Sequence, residues 1–376
     1  MNFFPRIDRR LLANFDWIIV GLVLIISLIG VATIYSATRP IGDSPQPVYY
    51  LKQIIWLGIG LLTLLLMVSM DYRWIQRFAY PIFVFGVFLL ALVLVLGRTG
   101  MGAQRWLSVG PISFQPSEIV KLFFIVAMAR YLAEKRKLMG MRDIIKVFFV
   151  LLLAPLLLLL AQPDLGTGIM FVFIFVSMLL VAGISKRTLA AIILVAALAV
   201  PFLGNVVWSG LKQYQKNRIV AFMKPEADPA GIGYQITQSK ITIGSAGFLG
   251  KGFTQGTQGV LRFLPEKHTD FIFSIFAEEW GFLGSVVLLS FFLLVLMSGL
   301  ETARRAKDRF GYFVSVGVVM MLFFYLSVNI GMTLGLAPVV GVPLPFMSYG
   351  GTSLVSNFLA IALLVNVRMR RFELFY

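Results

Sequence analysis

Residues 17–35 read WIIVGLVLIISLIGVATIY, an apolar run with no charged residue. A helix needs roughly 20 mostly apolar residues to cross the hydrocarbon core of a bilayer, so this run predicts a transmembrane helix. It is too long for the core of a signal peptide, and no small-residue cleavage pattern follows it directly. We therefore expect this helix to be retained in the protein.

Apolar runs of the same kind recur along the chain. They are continuous and lack the period-2 alternation of a membrane barrel, so they predict helices. We expect an all-α fold, a polytopic integral membrane protein with about ten transmembrane helices in a single domain over residues 1–376. The further runs lie at 53–70, 80–97, 118–132, 147–162, 166–184, 189–208, 271–299, 312–335 and 352–367.

The composition supports a membrane protein and excludes several kinds of site. Hydrophobic residues make up 59% of the chain and charged residues 13%, against roughly 45–50% and 25% in soluble domains. The net charge of +16 indicates cationic loops that set topology and meet anionic membrane lipids, with no nucleic acid as partner. The chain has no cysteine and a single histidine, His268, which excludes disulfides, thiolate nucleophiles and His-rich metal clusters. An oxygen-ligated Mg²⁺ remains open.

Basic residues predict the orientation. Most of the 33 lysines and arginines fall on one side if the N terminus lies inside, which places both termini in the cytoplasm. The segment 209–270, between helices 7 and 8, is then an extracytoplasmic loop. It is too polar to span the membrane, but its aromatic residues argue against disorder. We expect short helices on the outer face.

Asp270 is expected where this long outer segment enters the eighth helix, in the stretch HTDFIF at 268–273. A carboxylate in the first turn of a helix is favoured by the helix dipole, so a structural role explains it. The alternative is a general base at the lipid–water boundary.

Other charged or polar residues lie at the outer ends of predicted helices, although each charge at membrane depth costs roughly 2.5–3.5 kcal/mol to insert. Glu118 and Lys121 are spaced i, i+3, which fits either a local ion pair at a helix start or a pair turned inward away from lipid. Arg105 is followed by Trp106 and is either an interfacial anchor or a diphosphate ligand. Asp164 lies in QPDLG at 162–166, which also fits a tight turn.

The glycine-rich stretch GSAGFLGKG at 244–252 superficially resembles a phosphate-binding loop. The Walker pattern needs four residues between its first glycine and Gly-Lys, followed by Ser or Thr. Here five residues intervene and Gly252 follows the lysine, so we reject nucleotide binding.

These motifs together resemble one family, the SEDS proteins (shape, elongation, division and sporulation). Two parts of the chain resemble the family signature. They are Asn329 and, after five further residues, the stretch GLAPVVGVPLPFMSYGGTS at 335–353. Three further blocks are similar to family motifs: GAQRW at 102–106, FQPSEIVK at 114–121 and QPDLGT at 162–167. Four stretches, 233–240, 250–252, 256–258 and 264–270, are more similar to the elongation members than to the division members.

The resemblance implies a peptidoglycan glycosyltransferase that polymerises lipid II during cell elongation, at the outer face of the bacterial cytoplasmic (inner) membrane. It implies lipid II, undecaprenyl-diphosphate-linked glycan and a class B penicillin-binding protein transpeptidase as partners. A requirement for Mg²⁺ or another divalent cation stays open. Family roles transfer to Asp270 as the catalytic group and to Arg105, Glu118, Lys121, Asp164 and Lys240 as substrate-binding groups.

Two other functions compete with this one, a lipid II flippase and a non-catalytic scaffold for cell-wall enzymes. A flippase should hold its key charges near mid-membrane and on both faces. The unusual charges of this chain gather at the predicted outer face, which favours an enzyme. A scaffold would not need Asp270.

Overall fold

The computed structural model describes residues 14–39, 48–100, 103–110, 112–135, 137–192, 194–195, 208–211, 213–228, 231–257, 264 and 267–371. The described chain is mostly helical, as predicted. The helices are, in chain order, α1 (Trp17–Ala37), α2 (Tyr49–Ser69), α3 (Tyr72–Arg77), α4 (Ala79–Leu96), α5 (Pro116–Glu134), α6 (Met141–Ala161), α7 (Leu165–Ala182), α8 (Gln213–Met223), α9 (Ile232–Gly244), α10 (Ile272–Arg304), α11 (Arg309–Thr333) and α12 (Gly351–Met369).

Within the described ranges, eight helices are long and apolar enough to cross a membrane: α1, α2, α4, α6, α7, α10, α11 and α12. The predicted fourth span is α5, whose length is sufficient but which carries charged residues. The predicted seventh span, 189–208, is described only at 189–192, 194–195 and 208. The total of ten spans and the outer position of 209–270 therefore stay predictions.

Capping residues explain where several helices begin. Asp16 accepts a hydrogen bond from the Ile19 N–H at the start of α1, at 3.3 Å, and Asp308 accepts from the Gly311 N–H at the start of α11, at 2.7 Å. Such caps satisfy amide groups that have no partner inside the helix. α5 begins with Pro116 at its first position, where the missing N–H costs nothing.

Small residues let the helices approach closely. A Cβ at Gly60 on α2 would lie 2.6 Å from the ring of Phe358 on α12, and one at Gly317 on α11 would lie 2.5 Å from Ile125 on α5. Close backbone packing of this kind is the usual way that helices associate in lipid. α11 and α12 are the most enclosed spans, whereas side chains such as Phe88 on α4 point outward.

A small antiparallel sheet between α4 and α5 departs from the all-α prediction. Its strands are β1 (Arg98–Gly100), β2 (Ala103–Val109) and β3 (Ile112–Phe114), in the order β1-β2-β3. Leu107 pairs with Phe114 in the β2–β3 register. β1 and β3 have only three residues each, and the seven residues of β2, AQRWLSV, do not alternate between apolar and polar, so the sequence predicted only a loop here. The sheet holds Arg105.

α10 is broken near its beginning, at Gly281, which has a φ of +69°. In a continuous helix the N–H groups of Phe282 and Leu283 would bond to the carbonyls of Glu278 and Glu279. All four groups bond instead to the segment 247–252, which we call the 247–252 loop. Phe282 and Leu283 donate to the carbonyls of Gly247 and Phe248, and the N–H groups of Lys251 and Gly252 donate to those of Glu278 and Glu279, at 3.0–3.1 Å.

The 247–252 loop overlaps the glycine-rich stretch that resembled a phosphate loop. Gly250 is required there, because a Cβ would lie 2.2 Å from the Glu279 carbonyl oxygen. Lys251 also pairs with the buried Glu278 carboxylate at 2.7 Å. Gly250 therefore serves close backbone packing against α10.

Candidate functional site

Asp270 lies in a turn directly before α10. The helix begins at Ile272, and no side chain caps the preceding Phe271 position. The structure thus does not use Asp270 as the cap of this helix. Its side chain is half-buried, next to the loop 334–350 that joins α11 to α12.

Asp270 and Arg218 face the same small space beside Gly341. A Cβ placed on Gly341 would lie 3.5 Å from Asp270 Oδ2 and 3.8 Å from Arg218 Nη1. Gly341 has a φ of +73°, a conformation that favours glycine, and it leaves this space clear of a side chain. A carboxylate and a guanidinium therefore approach the same point beside Gly341. Arg218 lies on α8 and was not among the predicted site residues.

An aromatic cluster includes His268, which precedes Asp270 by two residues in the chain. The rings of His268 and Tyr49 stack at 4.7 Å, and Tyr349 meets Tyr49 edge-on at 5.0 Å. All three side chains are partly exposed. Burial raises the pKa of the Tyr349 hydroxyl above its usual value, so this group stays protonated at neutral pH. The Tyr349 N–H also donates to the His268 carbonyl at 2.9 Å, which joins the cluster to the segment that holds Asp270.

Arg105 and Asp164 form a contact between the small sheet and the start of α7. Arg105 Nη1 lies 3.6 Å from Asp164 Oδ1, and Arg105 also donates to the carbonyl of Pro163. Asp164 caps α7 by accepting from the Thr167 N–H and hydroxyl, at 3.3 and 2.9 Å. Asp164 therefore both caps α7 and contacts Arg105, which remains about one quarter exposed. The predicted role of Asp164 in binding substrate stays a prediction.

The loop 334–350 connects this contact to Asp270. A Cβ on Gly166, in the first turn of α7, would lie 2.8 Å from the Val340 carbonyl oxygen. The next residue, Gly341, faces Asp270 and Arg218. One short segment of the loop therefore lies between two groups of predicted site residues.

Glu118 and Lys121 are turned inward and joined by a tyrosine that the sequence analysis missed. Lys121 Nζ lies 2.8 Å from Glu118 Oε1, and the Tyr325 hydroxyl lies 3.0 Å from Glu118 Oε2 and also contacts Lys121. Lys121 is 1% exposed and Tyr325 2%. A buried ion pair is tolerated only when further hydrogen bonds satisfy both charges, as Tyr325 does here.

Lys240 is not buried as the Glu118–Lys121 pair is. It lies on the exposed side of α9. A Cβ on Gly335 would lie 2.1 Å from Lys240 Cε, so the lysine stem lies across that glycine at the end of α11. Its neighbour Ser239 is buried and bonds Ser274 and the Thr333 carbonyl. The role of Lys240 in binding substrate stays a prediction.

A protein-built metal cage is not found in the described parts of the chain, where no three His, Asp or Glu side chains converge. Mg²⁺ is often held by one or two carboxylates together with substrate phosphates, so this arrangement leaves the divalent-cation prediction as it was. No step proposed below depends on a metal.

Comparison with known proteins finds relatives along nearly the whole chain. A family model described as "Cell cycle protein", covering FtsW, RodA and SpoVE, matches residues 11–373. Peptidoglycan glycosyltransferase MrdB of Escherichia coli K12 is 38% identical over 340 residues, which cover 90% of each chain. Peptidoglycan glycosyltransferase RodA of Treponema pallidum is 31% identical and covers 96% of this chain and 99% of that protein.

Comparison with solved structures identifies proteins of the same family. A chain from a study titled "Structural coordination of polymerization and crosslinking by a peptidoglycan synthase complex" has a TM-score of 0.81 at 34% identity, covering 96% of this chain and 99% of that one. The rod shape determining protein RodA of Thermus thermophilus has a TM-score of 0.70 at 30% identity, covering 96% and 98%. The matches to RodA confirm the predicted similarity to elongation members. The full-length family match and the shared helical architecture establish that this multi-pass membrane protein belongs to the SEDS family.

Proposed function

We propose that the protein is a peptidoglycan glycosyltransferase that polymerises lipid II at the outer face of the bacterial cytoplasmic membrane. The proposal rests on one observation above all, the approach of the Asp270 carboxylate and the Arg218 guanidinium to the same point beside Gly341. Full-length relatives that are named peptidoglycan glycosyltransferases support it.

The reaction needs one base. The donor sugar is α-linked to diphosphate and the polymer is β-1,4-linked, so each step inverts the anomeric carbon once. The acceptor 4-hydroxyl oxygen forms the new bond to that carbon, its proton passes to the Asp270 carboxylate, and the bonding electron pair leaves with the diphosphate. A single carboxylate is sufficient, unlike the pair required for glycoside hydrolysis.

The leaving diphosphate requires positive charge more than it requires an acid. The planar fork of an arginine matches phosphate oxygens with two parallel hydrogen bonds. Arg218 is the arginine next to Asp270, and Arg105 is a second, partly exposed candidate. Fixed cations that meet developing charge are among the largest contributions to catalysis.

Lys121 and Glu118 are proposed to organise the site. The Lys121 ammonium is enclosed and already bonded to Glu118 and Tyr325, so in this arrangement it is not presented to a substrate. Ser356 on α12 also donates to the Glu118 carbonyl at 2.6 Å. The pair thereby fixes α5 against α11 and α12. Direct contact of either residue with lipid II stays a prediction.

The partner proposed is a class B penicillin-binding protein, the transpeptidase that would cross-link the product. A structural match within a peptidoglycan synthase complex supports a partner of this kind. Lipid II and the growing undecaprenyl-diphosphate-linked glycan would stay anchored in the membrane, so the site must be reached between helices. We propose that the single domain over residues 1–376 supplies both the site and this route.

The test is polymerisation of labelled lipid II by the purified protein together with its partner, resolved on a gel. We expect glycan polymer from the wild type and a loss of about 10²–10⁴-fold in rate with Asp270→Asn, which keeps size but cannot accept the proton. Glu226→Gln is the control, because this exposed carboxylate lies in the same predicted outer segment.

Other outcomes separate the competing functions. Translocation of lipid II without polymer would identify a flippase, and neither activity would identify a scaffold. Polymer at the wild-type rate from Asp270→Asn would remove Asp270 as the base.

A further inference from the structure

Three consecutive backbone carbonyls at the catalytic carboxylate are each held by a different donor. The Tyr349 N–H donates to the His268 carbonyl at 2.9 Å, and the Ser348 hydroxyl donates to the Thr269 carbonyl at 2.6 Å. The Asn329 amide donates to the Asp270 carbonyl at 3.0 Å. A turn that precedes a helix has no regular hydrogen-bond pattern of its own, so these donors fix its conformation.

Asn329 does more than hold one carbonyl. Its amide nitrogen also donates to the Val342 carbonyl at 2.8 Å, which uses both of its hydrogens. Val342 follows Gly341, the residue that faces the Asp270 carboxylate and the Arg218 guanidinium. One side chain on α11 therefore sets the distance between the Asp270 backbone and the loop on the other side of the catalytic space.

The burial of Asn329 shows that this double contact has a cost. The side chain is 0% exposed, and among the described residues its Oδ1 atom has no hydrogen-bond partner. A buried acceptor without a partner destabilises the folded state, and an apolar residue of similar size would avoid it. The two donated hydrogen bonds are what an asparagine supplies at this position and an apolar residue does not.

We infer that Asn329 is a positioning residue that orients Asp270 for proton transfer by tying the Asp270 and Val342 carbonyls together. The inference rests on the proposed function. It assigns Asn329 no contact with substrate: the residue acts through Asp270, and Ser348 assists by holding the preceding carbonyl. Small displacements of a catalytic group are costly because proton transfer requires near-ideal geometry.

The chain contains a matched control for this inference. Asn366 on α12 is also 0% exposed, and its amide nitrogen also donates to two backbone carbonyls, those of Met67 and Met70, at 2.7 and 2.8 Å. These carbonyls lie at the end of α2, the end opposite to Tyr49 and its contact with His268. Asn366→Ala therefore removes the same kind of interaction without touching the segment that holds Asp270.

The experiment compares Asn329→Ala, Asn366→Ala and wild type as full-length proteins with the partner present. The initial rate of polymerisation is measured against lipid II concentration, and thermal unfolding is followed in parallel. We expect both variants to unfold at lower temperature. Only Asn329→Ala should lose kcat, by up to about 100-fold, with KM unchanged, whereas Asn366→Ala should keep the kcat of the wild type.

Two results would overturn the inference: an unchanged kcat in Asn329→Ala, or an equal loss of kcat in Asn366→Ala. If Asn329→Ala cannot be purified, Ser348→Ala replaces it, and the same loss of kcat with unchanged KM is required. Asp270→Asn is assayed alongside. An inactive Asp270→Asn with a fully active Asn329→Ala rejects the positioning role alone, and an active Asp270→Asn rejects the proposed base itself.

Discussion

Arg218 is the residue whose placement changes the chemistry of the site most. It comes from α8, near the start of the long predicted outer segment, and it is brought close to Asp270 because both side chains reach Gly341. A guanidinium next to the proposed base would receive the diphosphate while Asp270 receives the proton. The two charges that the reaction separates would then each have a partner on the protein.

Arg218→Ala is therefore expected to lower the polymerisation rate by about 10²-fold, the typical effect of removing one preorganised charge donor. Arg218→Lys should recover only part of the rate, because lysine keeps the charge but loses the fork. Lys216→Ala is the control, since Lys216 lies on the same helix with its ammonium 6.0 Å from the Trp208 ring. A wild-type rate in Arg218→Ala would exclude Arg218 from diphosphate binding.

The sequence predicted some site residues and missed others for a physical reason. Glu118 and Lys121 were recognisable because charges are rare at membrane depth. Tyr325, which joins them, lies within an apolar run where a tyrosine looks like ordinary core. Arg218 is one of several basic residues in a polar segment, and only the tertiary fold brings it to Asp270.

Among the elements, α5 depends most on a polar contact. Its charged pair is bonded to Tyr325 on α11 and lies next to the Ser356 contact from α12. Most spans of the chain could be predicted from length and hydropathy alone, because the bilayer requires about 20 apolar residues for each. The sheet β1–β3 could not, because pairing of three short strands depends on partners rather than on local pattern.

Lys121→Ala is expected to destabilise the protein by about 3–5 kcal/mol, because it leaves Glu118 as a buried charge without its cation. The fall in the thermal midpoint should accompany a strong fall in polymerisation. Glu134→Ala is the matched control: it removes the Arg130–Glu134 ion pair of the same helix, in which Glu134 is 60% exposed, and should change stability by less than about 1 kcal/mol. A stable, fully active Lys121→Ala would show that the Glu118–Lys121 pair contributes neither to stability nor to polymerisation.

For the whole molecule, the orientation in the membrane decides whether the site meets lipid II on the side where the polymer is made. Basic residues predict it, since they are concentrated in the segments assigned to the cytoplasm. The absence of cysteine from the sequence makes the prediction simple to test with single introduced thiols at exposed positions.

Thr237→Cys on α9 should react with a membrane-impermeant maleimide added to intact cells whose outer layers have been made permeable. Arg304→Cys, at the end of α10 where the native side chain is 82% exposed, should react only after the cytoplasmic membrane is opened. The reverse pattern would place the Asp270 site on the cytoplasmic side and would contradict the proposed function.

The break in α10 at Gly281 has a mechanical consequence. Because the backbone groups on either side of the break bond to the 247–252 loop, the short first piece of α10 that follows Asp270 is anchored to that loop and not only to the rest of its own helix. The longer piece belongs to a helix predicted to cross the membrane, where bilayer thickness and neighbouring proteins impose tilt. Since the 247–252 loop is bonded to both pieces of α10, we expect it to hold the turn at Asp270 in place when the longer piece tilts.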